Sequence, residues 1–342
     1  MRMLMGWVGI AALAIAVTLA IAWFASPWPR VALIRYFLDR GGVATERALA
    51  RHVPRGVAAV SDIAYREGGP AARMDVFFPE RVEHTAERLP TIVWVHGGGW
   101  IAGHRSDVAN YAKILAAHGY TTVAVDYALP PQAIYPTAVE EVNAALGYLA
   151  NNAASLHVDP DRFVLAGDSA GAQIAAQVAV IVTNPDYARA IGIEPSIHAP
   201  QLVATVLACG IYDMPRAGGG GLHAKFFSAA FWAYSGRRDF RNDPRLRLMS
   251  VAGHLTPAFP PTFLTAGNGD SLAGQSTEMA RRLASLGVPV DALLYAPDHQ
   301  PRLPHEYQFN LDSAAGRDAL QRIVAFLHAH TRADTTFTPA PI

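Results

Sequence analysis

Three short runs in this 342-residue sequence carry side chains that could do chemistry together. The first is Gly167-Asp168-Ser169-Ala170-Gly171, of the form G-x-S-x-G. An apolar run, 163–166, precedes it, and an Ala-rich run, 170–180, follows. That succession predicts a strand, a sharp turn and a helix, with the Ser169 hydroxyl exposed at the turn. The flanking glycines suit a turn at which backbones approach closely. The helix start adds N–H donors and the positive end of its dipole. Taken alone, the run also fits an ordinary Gly/Ser turn. A serine hydroxyl is a poor nucleophile at neutral pH. It needs a base, a group that orients the base, and donors for a developing oxyanion.

The second run, His96-Gly97-Gly98-Gly99-Trp100, follows an apolar stretch, 91–96, and offers the donors. Consecutive glycines let backbone N–H groups point into a cavity with no side chain in the way, so the expected oxyanion donors are Gly98, Gly99 and Ala170. His96 is expected to bond the loop backbone. The third run, 297–309, contains His299 and His305; His305 precedes an apolar-aromatic patch and is the preferred base. The orienting acid should follow a late strand, as Asp270 does, although an Asx turn or helix cap is the plainer role for it. Asp298 and Asp291 are weaker candidates, one too close to the histidines and the other inside a strand. The order Ser169, Asp270, His305 suits a nucleophile, acid and base for acyl transfer. Trp100 and Asp168 are expected at the substrate pocket. Phe226, Phe227, Phe231 and Trp232 fit pocket or core equally.

Positioning these groups takes alternating strands and helices. Residues 62–66 and 73–78 alternate as antiparallel strands do. Strands are predicted at 91–96, 121–126, 163–166, 202–209, 262–266 and 290–295, and helices at 107–118, 136–151, 170–180, 275–286 and 312–330. The expected class is α/β, a mainly parallel central sheet with helices on both faces.

The domain reading is a membrane segment over 1–26, a helical linker or lid over 27–60, a catalytic domain over 61–332 and a loose tail over 333–342. Residues 3–25 are apolar and uncharged, and as a helix span roughly 34 Å, enough for a bilayer core. No small-x-small cleavage site is evident, which favours an uncleaved anchor in a bacterial-type inner membrane over a cleaved signal peptide. Arg30, Arg35 and Arg40 beyond it favour a cytoplasmic catalytic part, while a leading apolar segment also commonly drives export. In 27–60, one helix is expected to stop at Gly41-Gly42 and a second to run over 46–52.

Basic and acidic residues balance at 28 each, with no basic stripe, so a nucleic-acid partner is not expected. One cysteine, Cys209, rules out an internal disulfide framework and reads as a buried small hydrophobe. No Cys/His cluster suggests a structural metal.

With these residues in view, the sequence resembles the hormone-sensitive-lipase-like branch of the α/β-hydrolase esterases. The matching pieces are HGGGW at 96–100 with Gly103, VAVDYALPP at 123–131 with Tyr135-Pro136, GDSAG at 167–171, FPPTFLTAGNGD at 259–270 and HEYQF at 305–309. They run in the family's order over about 91–309. The resemblance implies an α/β-hydrolase fold with a helical cap over the site, a small-molecule ester as substrate, and no metal or organic cofactor. It also implies that Asp126 and Tyr127 support the oxyanion loop. The chain departs from the pattern where Ser271 follows the acid, where Glu140-Glu141 replace a usual aspartate, and in the stretch 211–255 with its glycines 218–221, which the pattern does not place. An aryl-formamidase or amidase on the same scaffold, or a non-catalytic ligand-binding relative, are the alternative functions.

Overall fold

The computed structural model describes residues 21–67, 71–216 and 221–331, with positions 7, 10, 13, 17 and 18. The continuous apolar runs form the middle of one sheet. Its strands are β1 (Val57–Ala64), β2 (Arg73–Pro79), β3 (Leu89–Val95), β4 (Thr121–Val125), β5 (Val158–Asp168), β6 (Leu202–Ala208), β7 (Thr262–Ala266) and β8 (Val290–Leu294). The spatial order is β1-β2-β4-β3-β5-β6-β7-β8. β1 pairs β2 and β2 pairs β4 antiparallel; every later pairing is parallel. Every residue of β3 and β4 is buried, as helices on both faces of a parallel sheet require.

Nine helices are used below: α1 (Trp28–Ala50), α2 (Ala109–Ala116), α3 (Thr137–Asn151), α4 (Ser169–Thr183), α5 (Pro185–Ile191), α6 (Gly221–Ser235), α7 (Arg245–Met249), α8 (Ala273–Ser285) and α9 (Ala314–Thr331). α3, α4 and α8 share one core with one face of the sheet. α2 and α9 form the other with residues such as Ile92, Trp94 and Phe263. Ala170 to Thr183 are all buried, so α4 is an interior helix, apolar on every side except for Gln173, Gln177 and Thr183. The expected α/β layering is present.

Two expectations fail at the amino end. Gly41-Gly42 do not end a helix: α1 runs unbroken from Trp28 to Ala50. Tertiary contacts along its length override the weak propensity. Val31 packs with Ile101, Ala229, Ala230 and Ala233. Arg35 donates to the carbonyls of Ile101 and Pro130. Glu46 accepts from the Asn110 N–H at 2.9 Å, and Leu49 is buried against the sheet's second core.

The membrane-anchored localisation is also corrected. Among the described residues no helix is long and apolar enough to cross a membrane. Most of the apolar stretch 3–20 lies outside the described residues. The helical residues 21–25 end at Ser26, and α1 beyond them carries arginines and binds the sheet domain. The tail beyond 331 and the glycines 218–220 lie outside the described residues too.

Candidate active site

The site forms at the carboxyl ends of β3, β5, β6 and β7, where loops leave a parallel sheet. β5 ends at Asp168 and α4 begins at Ser169 with no residue between them. So sharp a reversal puts Ser169 at φ 50°, a left-handed conformation that a non-glycine residue adopts under strain. The flanking glycines are fixed by space. A Cβ on Gly171 would lie 2.0 Å from the Val95 carbonyl oxygen, and one on Gly167 would lie 2.6 Å from the Gly171 carbonyl carbon.

Two loops bring the other groups to Ser169. The β7 loop carries Asp270 and the loop after β8 carries His305. They are tied together by the Gly269 N–H to the Leu303 carbonyl at 2.8 Å and the Leu303 N–H to Asn268 Oδ1 at 2.8 Å. His305 Nε2 stands 2.9 Å from Ser169 Oγ, and its Nδ1 stands 2.8 Å from Asp270 Oδ2. The other oxygen of Asp270 accepts from the Leu272 N–H at 2.8 Å, so both are engaged. The structure thus joins Ser169, His305 and Asp270 in one chain of hydrogen bonds. Burial pushes the His305 imidazolium down, but its bonds to Asp270 and Cys209 and the nearby Glu306 charge outweigh that and hold its pKa well above the usual histidine value. The rival groups lie elsewhere: His299 packs on Tyr295 with ring centres 4.6 Å apart, and Asp291 pairs with Arg322.

Gly98, Gly99 and Ala170 all line the cavity that contains Ser169 and His305. Gly98 has φ 105°, and a Cβ there would collide with the Ala102 carbonyl at 2.1 Å. The loop is braced from behind. The Tyr127 hydroxyl donates to the carbonyls of His96 at 3.0 Å and Gly97 at 3.3 Å. His96 Nδ1 lies 2.8 Å from the Gly97 carbonyl. Asp126 accepts from the Arg105 N–H at 2.6 Å and pairs with its guanidinium. Glu141, in place of the usual aspartate, accepts from the Ala128 N–H at 2.6 Å.

Trp100 lines the cavity, and its indole N–H donates to Gln173 at 2.9 Å. Gln173 in turn donates to Gln177 at 2.8 Å and to the Met249 carbonyl at 3.1 Å. This buried chain of amides ties the loop at Trp100 to α4 and α7. Asp168 also lines the cavity and accepts from the Trp94 indole at 2.8 Å. Burial, followed by the neighbouring Glu306 carboxyl, pushes its pKa well above the usual aspartate range. Of the four aromatics, Phe226 and Phe227 line the cavity. Phe231 is core, packed on Trp100 at 5.1 Å, and Trp232 lies beneath the Arg30 guanidinium. The stretch 211–255 thus supplies α6, which with α1 covers the site: Phe37, Leu38, Gly41, Gly42 and Thr45 of α1 line the same cavity.

A family model described as alpha/beta hydrolase fold matches residues 92–300. The chain belongs to the α/β-hydrolase family. Esterases are among the curated relatives that it matches. An acetyl esterase of Salmonella paratyphi B is 28% identical over 214 residues, 60% of this chain and 62% of that protein. Carboxylesterase NlhH of Mycobacterium tuberculosis is 28% identical over 260 residues, 74% of this chain and 76% of that protein. The chain spans about three fifths of the length of the first curated relatives it matches. Among solved structures, esterase B of Lactobacillus rhamnosis superposes with a TM-score of 0.76 at 21% identity, covering 90% of this chain and 96% of that one. The esterase of Pyrobaculum calidifontis gives 0.69 at 23%, covering 87% and 93%. At these identities the superpositions speak for the fold of an α/β-hydrolase.

Two residues at this α/β-hydrolase site were not read as such from the sequence. Cys209, just past β6, brings Sγ within 4.8 Å of ligand atoms of Asp270 and His305. It is buried and accepts from the Glu306 N–H at 3.4 Å. Its place at a strand's carboxyl end was the available signal. Glu306, at φ 58°, aims its carboxyl back at His305. Cys209, Asp270 and His305 are close enough to hold a metal ion. However, Asp270 and His305 already use the facing atoms on each other and on Ser169.

Proposed function

We propose that the protein is a carboxylic-ester hydrolase of small to medium acyl esters, with Ser169 as nucleophile, His305 as base and Asp270 as its orienting acid. The observation that carries this reading is the Ser169–His305–Asp270 chain at 2.9 and 2.8 Å, in a cavity of about 550 Å³ on a family scaffold shared with esterases. His305 Nε2 takes the proton as Ser169 Oγ bonds to the ester carbonyl carbon. The carbonyl oxygen becomes an oxyanion held by the N–H groups of Gly98, Gly99 and Ala170. Asp270 stabilises the imidazolium and holds its orientation. The C–O bond to the alcohol then breaks as His305 returns the proton to the leaving oxygen. Water, deprotonated by His305, attacks the acyl-enzyme; the acid departs and Ser169 Oγ regains its proton. α1 and α6 act as the lid over this chemistry.

The test is hydrolysis of p-nitrophenyl esters by the wild type and Ser169→Ala. Turnover that disappears in the variant, with fold intact, supports the reading. A folded wild type with no ester turnover overturns it.

A further inference from the structure

Gly41 and Gly42 stand together inside the 23-residue helix α1. Glycine is the poorest helix former after proline, so an interior pair needs a cause in its surroundings. Gly42 has one in packing: a Cβ there would stand 2.8 Å from the Asp107 carboxyl carbon. Gly41 has no such cause. Leaving aside the helix's own turns, a Cβ on Gly41 would meet no atom of the described residues within 4 Å. Among the described residues no group from another element stands against Gly41, which is itself exposed. The space beside it borders the cavity containing Ser169, since Gly41 is among its lining residues.

Its neighbours give the space a shape. Leu38, Gly41, Gly42 and Thr45 recur at the three- and four-residue spacing that puts side chains on one helix face, and all four line the cavity. Phe37 and Leu38 are bulky one turn before the gap, and Thr45 stands one turn after it. Gly41 and Gly42 thus leave a gap between these side chains, a notch at the exposed edge of the cavity lining. Phe226, Phe227 and Leu272 line the same cavity, so its surroundings are largely apolar.

Building on the ester-hydrolase reading, we propose that Gly41 is a specificity-determining residue whose notch receives the end of the ester remote from the reacting carbonyl. The substrates are then apolar esters of medium length, one arm of which lies against α1. A side chain at position 41 shortens the cavity without touching Ser169, His305 or Asp270.

The test compares Gly41→Ala, Gly41→Leu and Val43→Leu, the last at a residue 47% exposed on the same helix. Each is assayed on two series: p-nitrophenyl esters from acetate to octanoate, and acetate esters of alcohols of increasing size. Gly41→Leu is expected to lower kcat/KM about tenfold or more for the longest members of one series, with the acetates changed less than about twofold. The affected series identifies the arm. Gly41→Ala shows a smaller effect and a higher Tm, since alanine is the better helix residue; Val43→Leu changes neither profile. A uniform fall across both series, or an unchanged length profile, overturns the notch. In that case ester turnover that Ser169→Ala abolishes leaves the hydrolase reading standing. A wild type inactive on every ester ends both.

Discussion

Oε1 of Glu306 lies 3.5 Å from Nε2 of His305, the same ring nitrogen that stands 2.9 Å from Ser169 Oγ. The ring therefore has a carboxylate beyond each nitrogen, Asp270 on the Nδ1 side and Glu306 on the Nε2 side. Glu306 favours the charged ring and helps to raise its pKa. Glu306→Gln is expected to move the acid limb of the kcat/KM profile to lower pH. Profiles of both proteins on one short ester, measured across about pH 5 to 9, check this; superimposable limbs would count against it.

In the unsubstituted protein the acid limb should lie above the usual histidine value. The proposed mechanism needs the neutral ring. A raised pKa keeps the charged ring populated to higher pH, so kcat/KM climbs as pH rises through that pKa. A flat profile between about pH 5 and 8 would remove His305 from the role of base.

Asp270→Asn keeps the shape of the side chain but removes its charge and favours the wrong imidazole tautomer. A fall of about 10⁴ in kcat is expected, with circular dichroism unchanged. A loss under tenfold would mean that Asp270 only caps its loop through the Leu272 N–H.

Gly171→Ala should prevent folding rather than impair chemistry. Its Cβ would lie 2.0 and 2.4 Å from the carbonyl oxygens of Val95 and His96, both backbone atoms that cannot step aside. More than about 4 kcal/mol of stability should be lost, seen as insoluble expression. Gly274→Ala, whose Cβ would meet nothing within 4 Å, is the control and should gain up to about 1 kcal/mol in urea unfolding.

Glu46 holds α1 to the start of α2, accepting from the Asn110 N–H at 2.9 Å. Burial pushes its carboxyl from the usual 4.5 to about 7. Between those two values the folded state keeps a proton that the unfolded state has lost, so this group makes stability fall as pH rises from 4.5 to about 7. Glu46→Gln should flatten that slope, as read from urea midpoints at several pH values. An identical slope in the variant would rule the group out.

The sequence by itself determined what short-range pattern can specify. The apolar runs at 91–96 and 121–126 became β3 and β4, because a strand buried on both faces must be apolar throughout. Ser169 and Asp270 could be picked out as candidates because each stands within a few residues of an apolar run's end, where a parallel sheet gathers its loops, and His305 because it precedes an apolar-aromatic patch. Tertiary structure decided what depends on residues far apart in the chain. α1 passes through Gly41-Gly42 because Val31 and Leu49 are buried on other elements at its two ends. Phe227 faces the cavity while Phe231, one turn on, packs on Trp100, a choice made by the neighbours of α6 rather than by α6 itself. Cys209 comes within 4.8 Å of Asp270, 61 positions further along the chain, only once β6 and β7 lie side by side. Local propensity weighs each segment by itself, whereas burial and hydrogen bonding are settled only when distant segments meet.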